Sequence, residues 1–162
     1  MIATPVGTLR AGTDGNLLNL LEFNSEDRLT RQKVERFDGP SESPLLDELE
    51  AQLAAYFRRE LTAFTIPWQQ PGTDFQQRVW AKLCEIPYGE TWSYLDLAKA
   101  VGSAAAVRAV GRANGSNRIA IVVPCHRVVQ RDGSMGGYGG GIENKARLLR
   151  VEQAGLQASL PL

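Results

Sequence analysis

The sequence predicts an α/β (α+β) protein: a small N-terminal α/β domain built on an antiparallel hairpin, then a mostly helical C-terminal domain with a helix-turn-helix and a short active-site strand. Three observations predict it. Strand-like residues 8–11 and 17–23 flank Asp14-Gly15, a dipeptide suited to closing a hairpin. Residues 62–72, with Pro67 and Pro71, read as a linker, so the domains are expected at 1–72 and 73–162. Beyond that boundary helical patterns dominate, interrupted by an apolar, β-branched run at 119–123 that reads as a buried strand.

After the hairpin, residues 26–37 form a mixed, polar helical stretch. Residues 45–59 form a better marked one, with Ser43 as N-cap, Pro44 at the first helical position and Leu45, Leu49, Leu53 and Tyr56 on one face. The second domain opens at Thr73, where Gln76 three residues on completes a capping box. Phe75, Val79, Trp80, Leu83 and Cys84 then share a face, which places Cys84 in the core. Pro87-Tyr88-Gly89 ends that helix. A short helix at about 94–101, a Gly102-Ser103 joint and a second helix at about 104–113, stopped by Asn114-Gly115, read as a helix-turn-helix.

The second helix is built from small residues: Ala104, Ala105, Ala106, Ala109, Gly111 and Ala113. They suit close approach to another surface, and dense packing inside the protein accounts for them equally well. Arg108 and Arg112, four apart among these small residues, fit phosphates better than a core.

At 162 residues, 43% hydrophobic and 22% charged, the chain can bury a sizeable core. It has no apolar run of about 18 residues and no secretory pattern, so neither a membrane nor export is implied and a cytoplasmic setting is expected. Cys84 and Cys125 are expected as thiols rather than a disulfide. The zero net charge argues against a protein that wraps nucleic acid by electrostatics alone. The charge is nevertheless uneven: seven Lys or Arg against eleven Asp or Glu in 1–72, and the reverse in 73–162. Residues 103–131 hold Arg108, Arg112, Arg118, Arg127 and Arg131 and no acidic residue, a candidate anion-facing surface.

Chemistry centres on Pro124-Cys125-His126-Arg127-Val128, delivered to the end of the apolar run. A cysteine beside the chain's single histidine and an arginine has groups that favour a thiolate and a base to take its proton. Any nucleophile–histidine scheme must use His126, yet sequence neighbours do not readily form a direct dyad, so a turn or bridging water is required. Two cysteines and one histidine, two of them adjacent, do not fit a structural zinc site, and no metal is expected.

PCHRV, within ANGSNRIAIVVPCHRVV at 113–129, resembles the signature of the O6-alkylguanine-DNA alkyltransferases, or methylated-DNA–protein-cysteine methyltransferases, of the bacterial type. The resemblance covers 73–157 closely and the N-terminal part more loosely. It implies DNA repair in which Cys125 takes a methyl or larger alkyl group from O6-alkylguanine irreversibly, one lesion per molecule and with no cofactor; O4-alkylthymine stays open as a second substrate. It implies that His126 acts as base through water, that Glu152 orients it, that Asn117 braces the turn before the acceptor and that Tyr94 assists the leaving guanine. Val128, Tyr138, Gly139 and Gly140 would form the pocket for the base, under the glycine-rich loop 133–141. Arg108 would fill the stack after base flipping, with Ala106, Ala109, Gly111, Tyr94 and Arg112 also at the DNA. The partner implied is double-stranded DNA carrying alkylated bases, met in the minor groove by a monomer, singly or cooperatively. Arg118 and Gly139 depart from the commoner proline and serine of such proteins. Two other readings stand beside this one: a lesion-binding protein of the same fold without transfer, and a Cys-His-Glu hydrolase.

Overall fold

The structure, a computed structural model, describes residues 1–24 and 42–153; the helical stretch expected at 26–37 lies outside the described residues. Three strands, β1 (Ile2–Thr4), β2 (Gly7–Thr13) and β3 (Leu18–Phe23), form an antiparallel sheet in that order. The expected hairpin is β2 and β3. Its turn is held by the Asp14 carboxylate, which accepts from the amides of Asn16 and Leu17 at 2.9 Å each, while Gly15 takes a φ of +104°. β1, only three residues long, carries too short a pattern to be read from sequence.

The outer edge of β3 is occupied by two irregular segments. Leu18 donates its amide to Pro67 O (2.9 Å) and accepts from Gln69 N (3.0 Å). Leu21 donates to Arg118 O (2.9 Å) and accepts from Ala120 N (2.8 Å). The stretch read as a linker is therefore stitched to the sheet, with Ile66 and Gln70 buried.

Helix α1 (Pro44–Phe57) follows an extended Ser43 and buries Leu49, Leu53 and Tyr56, as the spacing predicts; the Ser43 hydroxyl makes no capping bond. Helix α2 (Asp74–Leu83) has both halves of the Thr73/Gln76 capping box and buries Val79, Trp80 and Leu83. The expectation that Cys84 lies in the core is corrected. The helix stops at Leu83, so Cys84 is its exposed C-cap, and Ile86 fills the core beyond it. The protein mass around the thiol still pushes its pKa up to about 11.

A two-residue strand β4 (Trp92–Ser93) pairs in parallel with β5 (Val128–Val129). Helix α3 (Tyr94–Ala100) follows at once, capped by a reciprocal Ser93/Asp96 pair. Gly102, at a φ of +98°, turns the chain into a 3₁₀ turn (Ala104–Ala106) and helix α4 (Val107–Gly115). Asn114-Gly115 does not stop α4 where expected, because Ser116 supplies the cap: its hydroxyl donates to Ala113 O at 2.7 Å. Helix α5 (Ile142–Gln153) closes the described chain. Among the described residues no helix is long and apolar enough to cross a membrane.

The short active-site strand expected at 119–123 does not form. All five residues are buried, but only Ile119 makes an isolated bridge, to Leu21. The backbone then turns on itself: Val122 N donates to Ala120 O (2.8 Å), Val123 N donates to Ile119 O (3.0 Å), and Ile121 sits at a φ of +70°. An apolar run reports burial and not conformation; here local turns satisfy the amides that a ladder would otherwise take. Cys125 consequently begins a 3₁₀ turn (Cys125–Arg127) rather than ending a strand.

Candidate active site

The turn at 125–127 separates its side chains. Cys125 faces a cavity of about 450 Å³ lined by Tyr94, Gly111, Asn117, Tyr138, Gly139 and Gly140 among others. That volume lies within the ~300–1,000 Å³ typical of small-molecule sites. His126 is fully buried and meets Glu152 of α5.

Asn117 fixes the acceptor. Its amide nitrogen donates to Val123 O (2.9 Å) and lies 3.2 Å from Cys125 Sγ. Its oxygen accepts from Ile119 N (3.1 Å) and from the Gln70 amide (2.8 Å), while Gln70 in turn accepts from Arg118 N (2.8 Å). The residue braces the turn between α4 and the acceptor, and the buried Gln70, from the stretch paired with β3, braces the residue.

Behind the acceptor, Glu152 of α5 gathers four donor contacts. His126 Nε2 lies 2.7 Å from Oε1, Arg127 donates from Nε to Oε2 and from Nη2 to Oε1 (2.9 Å each), and the Tyr56 hydroxyl donates to Oε1 at 2.8 Å. Burial by itself raises the Glu152 pKa, but the hydrogen bonds and charges of His126 and Arg127 outweigh it and hold the group at about 2. An ionised carboxylate only accepts, so the proton of neutral His126 sits on Nε2 and leaves Nδ1 as the basic atom. Nδ1 is buried without a partner among the described residues. Burial lowers the His126 pKa, against the pull of Glu152, so the imidazole is neutral near pH 7.

The other expected site residues fall into two sets. Tyr94, at the first turn of α3, lines the cavity, and burial followed by the nearby Cys125 charge raises its pKa. Tyr138, Gly139 and Gly140 line it from the glycine-rich loop. Val128 is buried in β5 and is not part of the lining; its carbonyl accepts from Lys145 Nζ at 2.6 Å. On α4, Gly111 reaches the cavity beside the Tyr94 ring, whereas Arg108 and Arg112 are exposed, and Ala109 and, in the preceding 3₁₀ turn, Ala106 are half-buried outside the lining. No group of His, Cys, Asp or Glu able to hold a metal occurs among the described residues.

Sequence reasoning missed several contributors. Phe23 of β3 lines the cavity, meets Tyr138 edge-on at 5.8 Å and covers Gly140 so closely that a Cβ there would come within 2.3 Å of its ring. Lys145 is fully buried, donating to Val128 O, Met135 O and Gly137 O, and burial pulls its pKa down to about 8. The signal for Lys145 was present, since Lys145, Leu148, Leu149 and Glu152 are spaced to share one helix face. Nothing local marks Phe23 or Gln70, and helical spacing marks Tyr56 only as a buried residue of α1.

Residues 74–154 match the family described as 6-O-methylguanine DNA methyltransferase, DNA binding domain. The methylated-DNA–protein-cysteine methyltransferase of Mycobacterium tuberculosis is 44% identical over 161 residues, covering 99% of this chain and 95% of its own. The chain belongs to the O6-methylguanine-DNA methyltransferase family. Other members agree: the constitutive methylated-DNA–protein-cysteine methyltransferase of Bacillus subtilis is 43% identical over 151 residues, covering 93% of this chain and 92% of its own. Among solved methyltransferase structures, Mycobacterium tuberculosis OGT in complex with DNA superposes with a TM-score of 0.84 at 43% identity, covering 94% of this chain and 91% of that one. The O6-methylguanine-DNA methyltransferase of Pyrococcus kodakaraensis gives 0.65 at 26% identity, covering 89% and 97%. The mixed α/β fold is that of this family.

Proposed function

We propose that this methyltransferase repairs DNA by moving the alkyl group of O6-alkylguanine onto Cys125, with the surrounding residues in the roles derived below. The observation that carries the reading is the Cys125 sulfur at the wall of a base-sized cavity, held 3.2 Å from Asn117 Nδ2 and backed by a buried His126–Glu152 pair.

The Cys125 proton passes through water to His126 Nδ1, Glu152 stabilises the resulting imidazolium, and the thiolate attacks the alkyl carbon. An S–C bond forms, the C–O6 bond breaks, and its electron pair stays with the guanine, which takes up a proton on release. Tyr94 and the backbone of the 138–140 loop meet the charge developing on the leaving base. No cofactor enters this balance, and the thioether does not return the group, so each molecule acts once.

For the base to reach Cys125 the nucleotide leaves the duplex. Residues 73–162 act as the DNA-binding and acceptor domain, with 1–72 supporting it. The exposed Arg108 and Arg112 meet the DNA, while the low surface around Ala106, Ala109 and Gly111 lets α4 approach the minor groove. The protein acts as a monomer in the cytoplasm in this reading.

The test is the intact mass after mixing with a duplex containing O6-methylguanine. One methyl group per chain on a peptide containing Cys125, absent in Cys125→Ala although that variant still binds the duplex, is the expected result. Methylation persisting in Cys125→Ala would sink the assignment, and repeated turnover with an unmodified protein would favour a hydrolase.

A further inference from the structure

Tyr56 belongs to α1, 96 residues before its hydrogen-bond partner, and lies outside the cavity that faces Cys125. Its ring is fully buried, edge-on to Phe57 (5.1 Å between centroids) and to Tyr88 (6.0 Å) and tilted against Phe64 (5.4 Å). Packing of this kind fixes where the hydroxyl points, and it points at Glu152 Oε1. The same oxygen receives His126 Nε2 at 2.7 Å and Arg127 Nη2 at 2.9 Å. Three donors therefore share one oxygen, and each lone-pair direction that the tyrosine takes reduces what the imidazole can draw on.

We infer that Tyr56 is a positioning residue of the acceptor's proton relay, its hydroxyl both fixing the Glu152 carboxylate and moderating the support that Glu152 gives to His126. The inference rests on the reading of His126 as the base for Cys125.

Every charged neighbour of the imidazole bears on the direction of the effect. Glu152, from α5, raises its proton affinity; Arg127, on the same turn, and Lys145, from α5, lower it. Tyr88 meets Arg127, whose guanidinium lies 5.8 Å from the ring centroid. Tyr56 acts on His126 only through Glu152. Burial and the Glu152 charge hold the Tyr56 phenol well above its ordinary range, so it stays a neutral donor across the working pH. Removing that donor concentrates carboxylate charge on the imidazole, and the His126 pKa rises.

The chain has a single histidine, which makes the measurement unambiguous. The imidazole of untagged protein is titrated by NMR from pH 5 to 9 in the wild type and in Tyr56→Phe, and single-turnover methyl transfer from an O6-methylguanine duplex is followed over the same range. We expect the imidazole titration to move up by about half a unit to one unit, of the order that one hydrogen bond to the charged partner produces. The acid limb of the transfer rate should move with it, while the plateau rate changes less than about threefold. A uniform loss of rate at every pH with an unmoved imidazole, or no change in either, overturns the inference and leaves Tyr56 a packing residue. An imidazole that moves while the rate profile stays put upholds the Tyr56–Glu152–His126 coupling and instead removes His126 as the base. Should Tyr56→Phe fail to fold, 3-fluorotyrosine placed at position 56 makes a stronger donor with the same packing. It must then shift the imidazole downward, and an unmoved titration overturns the inference.

Discussion

Phe23, from the first half of the chain, and Gly140, from the second, meet at the cavity. A Cβ at position 140 would lie 2.3 and 2.5 Å from two ring carbons of Phe23, a distance at which one group must move. Gly140→Ala should cost about 1–3 kcal/mol, the usual range for overpacking, read as a lowered urea midpoint at unchanged slope. Adding Phe23→Leu should restore much of that loss, because the collision needs both partners; two losses that simply add would show that position 140 is strained for another reason. Neither partner of this contact could be paired from sequence. Gly140 is one of many glycines in its loop and Phe23 ends a strand whose pattern says only that it is buried. Cys125 and His126, by contrast, stand out as neighbours in the sequence, and the closeness of Asn117 to Cys125 was expected from the family resemblance of the surrounding motif.

At the scale of elements, helices α1 to α4 were legible, α4 preceded by a 3₁₀ turn, and the active-site strand was not. Capping boxes and 3.6-residue spacing are local, and both α2 and α3 begin where such boxes stand, although only the Thr73/Gln76 box was anticipated. The run 119–123 turns on itself, and its start is tied to β3 by bonds that Leu21 donates to Arg118 O and accepts from Ala120 N, residues nearly a hundred positions away. Helix α4 divides its labour: Val107 and Gly111 turn to the cavity, and Arg108 and Arg112 to the exterior. Arg108→Ala should therefore weaken repair in duplex DNA more than reaction with free O6-methylguanine base. The slope of log affinity against log salt for the duplex should flatten by about one unit if a phosphate contact is lost. Equal losses with duplex and free base would place Arg108 in the cavity chemistry instead.

For the molecule as a whole, Glu152 joins α1, α5 and the 125–127 turn through Tyr56, His126 and Arg127. Its folded pKa of about 2 lies below the ordinary 4.5, so the unfolded chain takes up this proton first as pH falls. The stability it contributes is full above pH 4.5 and is lost between 4.5 and 2. His126 works in an earlier window: its folded pKa is below 6.5, so protonation of the unfolded chain erodes stability as soon as pH falls past that value. Urea midpoints measured from pH 8 to 3 should decline in two stages, and Glu152→Gln should flatten the lower one. A single decline unaffected by that substitution would assign acid unfolding to other carboxylates. The edge of β3 has a consequence of a different kind. Its amides and carbonyls at Leu18 and Leu21 are occupied by the turns at 67–69 and 118–120, and a strand rim left bare is a template for another molecule's backbone. The loop that presents the sulfur therefore also covers the Leu21 end of that rim, and pulling the acceptor loop away would bare it to pairing by another chain's backbone.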